Sequence, residues 1–567
     1  MNKHIRVLAL SFGALALVGC PGPSATDDAA SLADASGSDA GSMSRLDGSI
    51  DASGGADAFM MIADPDGGLD AAGELDAASS DDAGGQDAFG LDAFVAADAF
   101  APLDAFVPPD AFRSPDAPMD AGPPPCPAIG SRTIVDVPPG VLAGGANVRW
   151  TCNNLYILNG IVLVEGSEAT PQVLTIEPGT VVQGLTADGS KGFLVVTRDG
   201  RLEARGTAER PIVFTSADPV GMRARDDWGG ITLLGRAFAG ATRRTEGFPL
   251  TLPGGESLDP HLAYGPRVGA MADDAWSCGT LEYVRVEFAS FNAGGGAGNE
   301  SNAIQIYSCG WGTTIDYVQT HLSGDDGMEI FGGTVDVRHL VLTGASDDTF
   351  DWDDGWRGRA QFIAGQQHRD TADLGFEAGG SSDSPAFAPN PRIFNVTFVG
   401  TNGMAGQFAG RLRGASRGFL RNAIFVGFTD GFLDVGGAVA AANLQAVPPL
   451  LSVRNAIFDQ AGAVVAWPTG SDDAADGTPA LIESDFFTGA AQLNQVTSAM
   501  LVDPFNQAAP NWRPTAGAPV GADRAVAPSE EDFDVRPPFF DVSADHVGAF
   551  APGGTDWTAG WTSYPAS

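Results

Sequence analysis

The chain has 567 residues, 71 of them acidic against 31 basic, for a net charge of −40. A chain this negative offers neither the Lys/Arg surface that nucleic acid requires nor one drawn to anionic lipid headgroups. Its 75 glycines and 38 prolines punctuate it densely with turns, yet 44% of its residues are hydrophobic, enough for a sizeable core.

At the start, Lys3, His4 and Arg6 precede an apolar run from Val7 to Val18. That run falls short of the roughly 20 residues needed to span a bilayer and has signal-peptide length. Its end, Leu17-Val18-Gly19-Cys20, resembles the lipobox at which bacterial lipoprotein precursors are lipidated and cut. The resemblance implies that residues 1–20 are a lipoprotein signal peptide and that Cys20 carries the lipid. It also implies a membrane partner through that lipid and a place in the cell envelope, at the outer membrane. Pro21 after Cys20, in place of Asp, is compatible with that destination.

From Pro21 to Pro125 the chain carries 21 acidic residues against Arg45 and Arg113, and Ala, Ser, Gly and Pro fill most other places. So few large apolar side chains cannot offset the entropy of ordering the segment, so 21–125 is expected to be a disordered acidic tether. Within it Asp-Ala-Phe recurs, at Asp87, Asp92, Asp98, Asp104 and Asp110. That period is too short for a solenoid coil, and the interleaved prolines oppose helix. A flexible chain of this length would have an r.m.s. span of about 55–60 Å, enough to hold a domain clear of a membrane.

Beyond it lie Cys126, Cys152, Cys278 and Cys309, an even number suited to an oxidising compartment. Chain position favours Cys126–Cys152 and Cys278–Cys309 as local disulfides. A zinc site built from the same four is the competitor, but it lacks CxxC spacing and a nearby His pair.

Short β-rich runs then recur. They begin at Leu281, Ile315, Val337, Ile393, Leu420 and Val453 and share one outline: an apolar lead, a polar or aromatic residue two later, then an apolar pair. Their starts lie 34, 22, 56, 27 and 33 residues apart, close to one coil of a solenoid or, in the long case, about two. A sandwich or propeller would also give short strands. A second alignable set separates them: Asp325-Asp326-Gly327-Met328-Glu329-Ile330 matches Asp347-Asp348-Thr349-Phe350-Asp351-Trp352, with an earlier copy at Asn302 to Ile306. Coils of a parallel β-helix stack like positions about 4.8 Å apart. One ladder would then read Ile304, Met328, Phe350 and point inward, and its neighbour Gln305, Glu329, Asp351 would point out.

The runs Leu174 to Val182, Gly206 to Ser216 and Asp227-Trp228-Gly229-Gly230-Ile231 resemble a family of secreted and surface-anchored bacterial proteins. Ser323-Gly324-Asp325-Asp326-Gly327 and Asp556 to Thr562 look like further marks of it. This resemblance, spanning about Trp150 to Trp561, places the chain in the pectin-lyase-like superfamily. It implies an all-β fold, a right-handed parallel β-helix (solenoid) preceded by the disordered linker, but no agreed activity. Residues 126–160 are expected to cap its N-terminal end, 161–509 to form the β-helix, and 510–567, rich in Pro and Trp, to cover the other end.

Between Gly324 and Gly358 stand nine acidic residues, offset only by Arg338 and Arg357. In the ladder register Asp326 would sit about 5 Å from Asp348, where like charges raise each other's pKa unless a cation intervenes. A Ca²⁺ site drawing on Asp325, Asp326, Asp347, Asp348 and Asp351 is one reading, since Ca²⁺ takes six to eight oxygen ligands. The other is that Asp and Gly supply turn geometry and face water. Gly324-Asp325-Asp326 also looks like the Gly-Asp-Asp of polygalacturonase-like hydrolases, and paired carboxylates suit glycoside hydrolysis. The Gly-His-Gly and Arg-Ile-Lys motifs of those enzymes are absent, as are a Walker loop and H-E-x-x-H. His321 and His339 sit at strand positions that suit structure. Arg357 or Arg359 is the conceivable base of a lyase, and Trp228, Trp276, Trp311, Trp352 and Trp356 suit packing better than sugar stacking. No residue is assigned a catalytic role. The expected function is therefore binding or structural: adhesion, envelope organisation, or capture of a polysaccharide or another surface protein. A polysaccharide lyase or glycoside hydrolase using the acidic ladder is the alternative.

Overall fold

The computed structural model describes residues 125–567, apart from 188, 241–244, 249–256, 294–298, 381, 404–407, 461–466, 468–480 and 531–535. The lipobox, Cys20 and the acidic tether lie outside the described residues.

Two sheets wind around one core, of 16 and 10 strands among the described residues, and every pair within both is parallel. Parallel neighbours need a crossover, and here most crossovers run through a strand of the other sheet, so the chain coils as a β-helix. The core is the inside of the coil, where Leu194, Ile231, Ile304, Met328, Phe350 and Phe376 stack on one wall and Leu281, Ile315, Val337 and Ile393 on another.

The six runs with a shared outline form one continuous ladder. Leu281 pairs with Ile315, Ile315 with Val337, Val337 with Ala360, Ala360 with Ile393, Ile393 with Leu420, and Leu420 with Val453. The 56-residue gap is filled by the strand Arg359–Gln366, whose lead is the small Ala360. The polar or aromatic residue two places after the lead has a backbone reason. Tyr283, Tyr317, His339, Phe362, Asn395, Asn422 and Asn455 all have φ between 49° and 59°, and each bends its strand. The strand Gly279–Glu287 shows the effect: its first half pairs with Leu202–Arg205 and its second with Ile212–Phe214, either side of Tyr283. In that left-handed conformation Asn is the favoured non-glycine residue. The aromatic members pay the strain and recover it by stacking, at 4.5 Å from Tyr283 to Tyr317, 4.2 Å from Tyr317 to His339 and 4.9 Å from His339 to Phe362.

Both expected disulfides are present, Cys126–Cys152 and Cys278–Cys309, so the four sulfurs form no zinc site. Two boundaries are corrected. Residues 126–160 are more than a cap: Thr133–Val137, Gly140–Val141 and Asn147–Trp150 already pair in parallel with the next coil. The first coil was hidden because its outer positions, such as Ile134, are exposed at the end of the stack and break the burial pattern.

Residues 510–567, expected to cover the far end, instead run back along the flank of the larger sheet. Asn455 donates to the Arg524 carbonyl, Asn422 to Val526, Asn395 to His546, Gln361 to Asp541, Gln319 to Ser563 and His321 to Pro565. The bends explain the choice of surface, because they carry side-chain amides and rings that need partners. Trp561, 1% exposed, packs edge-on against Tyr283 and Tyr317. Late in the chain, Ala438–Gln445 and Glu483–Phe487 are short α-helices that the β-rich outline did not announce.

Candidate functional site: an acidic ladder on the smaller sheet

The expected register holds. Gln305 pairs with Glu329 and Glu329 with Asp351, and the ladder extends to Glu377. Leaving the sheet on its outer side does not expose these side chains: Gln305 is 0%, Glu329 7% and Asp351 8% exposed. They point away from the core, yet neighbouring chain covers them. Asn302 donates to Glu329 at 2.6 Å, and Glu246 lies close enough to shift its pKa.

Three residues before each rung the turn into the smaller sheet carries a second ladder. Asn302 Oδ1 accepts from Asp326 N–H at 3.0 Å, Asp326 Oδ1 from Asp348 N–H at 2.9 Å, and Asp348 Oδ1 from Leu374 N–H at 3.0 Å. One side-chain oxygen thus ties each turn to the next coil. Asp326 and Asp348 do supply turn geometry, satisfying backbone donors of the next coil, but they do not face water as the turn reading expected: they are 5% and 4% exposed. Asp347 is exposed and Asp325 half-buried, at the mouth.

Oxygen atoms within 4.8 Å of one another come together in four overlapping triads: Asp325, Asp326, Asp347; Asp326, Glu329, Asp351; Asp347, Asp348, Asp373; and Asp348, Asp351, Glu377. All five residues expected at a metal site take part. Glu329, Asp373 and Glu377 were not among the expected residues of the cluster, although the offset that aligned Asp326 with Asp348 also aligned Glu329 with Asp351. The overlap arises because one donor set repeats on successive coils.

Burial is the main cause that holds Asp326, Glu329, Asp348 and Asp351 well above the usual carboxyl range, and neighbouring carboxyl groups add to it. Asp325 is pushed up to about 8 by burial and then by Asp347. Glu377 reaches about 7 by burial, opposed by Arg413 and Arg411, both of which ion-pair with it. On the rung beside Glu377, Asp351 Oδ1 is buried with no hydrogen-bond partner among the described residues. All-oxygen carboxyl donors within 4.8 Å of one another and an orphaned buried oxygen together fit a hard divalent cation.

The other candidates lie elsewhere. Arg359, 2% exposed, is on the larger sheet, bound to Asp336 at 2.6 Å and Glu530 at 2.6 Å, which denies it the role of a free base. Arg357 lies over the Phe238 ring at 3.8 Å. His339 is sandwiched between Tyr317 and Phe362, and His321 is hydrogen-bonded at both ring nitrogens. Trp228, Trp276, Trp352 and Trp356 are buried, so they pack and do not present a stacking surface.

No curated protein matches the chain. Among solved structures, a pectate lyase, Pel9A, is similar at 11% identity and a TM-score of 0.31, covering 75% of this chain and 97% of that one. A pectin methylesterase in complex with a hexasaccharide is similar at 11% identity and a TM-score of 0.22, covering 49% of this chain and 80% of that one. A family model described as a pectate-lyase-like β-helix domain matches residues 141–497. With coiled parallel sheets, a stacked core and that match over more than half its length, the chain belongs to the pectate-lyase-like β-helix family.

Proposed function

We propose that this protein is a lipid-anchored cell-surface β-helix with a binding role, presenting its flank to a polysaccharide or surface partner while Ca²⁺ in the acidic ladder stiffens the coils. The observation that carries the binding reading is the burial of the carboxyl groups. Asp326, Glu329, Asp348 and Asp351 are all 4–8% exposed, so a polymer chain cannot lay a scissile bond between them, whereas a bare cation fits among them. Ca²⁺ would be held by oxygens of Asp326, Glu329, Asp348 and Asp351, with Asp325 and Asp347 at the mouth, and would supply the positive charge that the fold itself does not. Support for the anchor is the lipobox ending at Cys20, and the acidic segment after it gives the reach.

Calorimetric titration of Ca²⁺ into the EDTA-treated full chain tests the cation, with saturable heat and a raised melting temperature expected. Neither change would refute it. Incubation with acidic and neutral polysaccharides separates binding from turnover: retention without new reducing ends or unsaturated products is expected. Products that vanish in Asp326→Ala would establish the lyase or hydrolase reading instead. Cys20→Ala is expected to release the protein from the membrane fraction, and continued sedimentation with membranes would overturn the anchor.

A further inference from the structure

A cleft of about 740 Å³ opens on the flank of the coil, away from the acidic ladder's rungs. It lies where the strands Thr314–His321 and Arg359–Gln366 end, beneath the C-terminal Tyr564 and Pro565. That volume is within the range of small-ligand sites. Its charge inverts that of the molecule. In a chain of net −40, Arg223, Arg225 and Arg369 converge here against one carboxylate side chain, Asp370.

Asp370 is already committed, held by Arg225 through two hydrogen bonds of 2.6 and 3.2 Å. The other two guanidinium groups are fixed by neutral oxygens. Arg223 donates from Nε to the Asp218 carbonyl at 2.9 Å and from Nη1 to the Thr215 hydroxyl at 3.2 Å. Arg369 donates from Nε to the Thr401 carbonyl at 3.1 Å. Neither makes an ion pair among the described residues. Both are therefore oriented in advance without an ion pair, although Arg223 also acts through space on the buried Glu287 carboxyl, and such preorganisation lowers the entropic cost of binding.

His368, 8% exposed, lines the same cleft with Nε2 lacking a partner among the described residues. Burial pushes His368 down to about 4 and His321 to about 3, so both are neutral at physiological pH. They contribute polar edges, and the arginines contribute the charge.

We propose that this cleft is a binding site for an oxyanion-bearing ligand, recognised by Arg223 and Arg369 through the forked geometry that guanidinium offers to carboxylate or sulfate. The site is independent of the acidic ladder. Its ligand carries the opposite charge to the one that ladder takes.

Glucuronate and inorganic sulfate, titrated separately into the full-length chain in EDTA, test this and keep it apart from the cation reading. Saturable binding of at least one is expected, weakening as NaCl rises. Binding of glucuronate alone assigns a carboxylate ligand, and of sulfate alone a sulfated or inorganic one. Arg369→Gln and Arg223→Gln are each expected to weaken binding about tenfold or more, the scale of one charge-assisted pair. Arg149→Gln, on the N-terminal coil, is expected to leave it unchanged. Arg369 is exposed, so its variant should melt with the parent. Absence of saturable binding for both probes, or equal affinity in Arg369→Gln at an unchanged melting temperature, overturns the proposal.

Discussion

Asp326 Oδ1 accepts the backbone N–H of Asp348, one coil further on, at 2.9 Å. A carboxyl group of the proposed ion-binding set is thereby also a splice between coils, and the two duties can be pulled apart by substitution. Asp326→Asn keeps the acceptor oxygen and removes the charge, as Asn302 already does one coil earlier at 3.0 Å. In EDTA at pH 8 this variant is expected to melt at or above the parent temperature, and to lose most of the Ca²⁺-induced rise. Asp326→Ala leaves a buried N–H without its acceptor and is expected to cost about 1–3 kcal/mol. Chemical denaturation of both variants, with and without Ca²⁺, checks the contrast; equal loss in the two would mean the charge is irrelevant.

The raised carboxyl groups set a pH dependence. In the unfolded chain Asp and Glu ionise near 3.8 and 4.5, while the fold holds Asp325 at about 8 and Glu246 and Glu377 at about 7. Across that window the folded state binds more protons than the unfolded one, so its stability falls as pH rises. The contribution is complete below about pH 4 and lost by about pH 8. The denaturation midpoint in EDTA is expected to drop from pH 5 to pH 8.5, and Ca²⁺ is expected to recover most of the loss at the alkaline end. A midpoint that climbs over that range in EDTA would contradict the burial of the ladder.

Trp561 tests the attachment of the C-terminal segment to the flank. Its ring is 1% exposed and meets Tyr283 and Tyr317 edge-on at 5.9 and 6.0 Å. Trp561→Ala is expected to cost about 3–5 kcal/mol, the range for a buried Trp, and to uncover the stacked rings of the bends. Increased binding of a hydrophobic dye at native pH is the accompanying signal; stability within about 0.5 kcal/mol of the parent, the range of ordinary surface changes, would mean that the contact is idle.

Arg359 tests whether the larger sheet holds a reactive base or a structural ion pair. Arg359→Gln takes from Asp336, 7% exposed, its 2.6 Å partner, leaving it Arg536 at 3.7 Å, and releases Glu530. The expected loss is about 3–5 kcal/mol, as when one partner of a buried pair is removed. Thermal denaturation reads it, and an unperturbed fold would return Arg359 to the list of candidate bases.

Much of the coil was legible because parallel stacking repeats the same kind of residue at the same position: Leu281, Ile315 and Val337 announce one wall, and Ile304, Met328 and Phe350 another. Ala360 escaped because a small residue fills a narrow place without an apolar signature. The fate of Gln305, Glu329 and Asp351 was not legible at all. Alternation reports which way a side chain leaves the sheet, and says nothing about distant chain, such as the segment carrying Glu246, arriving above it. The same limit hid the flank segment. Asn395, Asn422 and Asn455 showed up as a recurrent polar position, but only the left-handed bends explain why an amide there is free to hold residues 524–546.

That flank segment changes how the solenoid comes apart. A stack of coils alone is nearly one-dimensional, each coil held by its neighbours and free to fray from either end. Here Pro565 is fastened to His321 and Ser563 to Gln319, 244 residues back in the chain, after Asn455, Asn422 and Asn395 have been engaged in turn. A strand of chain sewn across the coils converts end-fraying into a collective event, so the middle of the domain should exchange its amide protons in a single cooperative step rather than coil by coil.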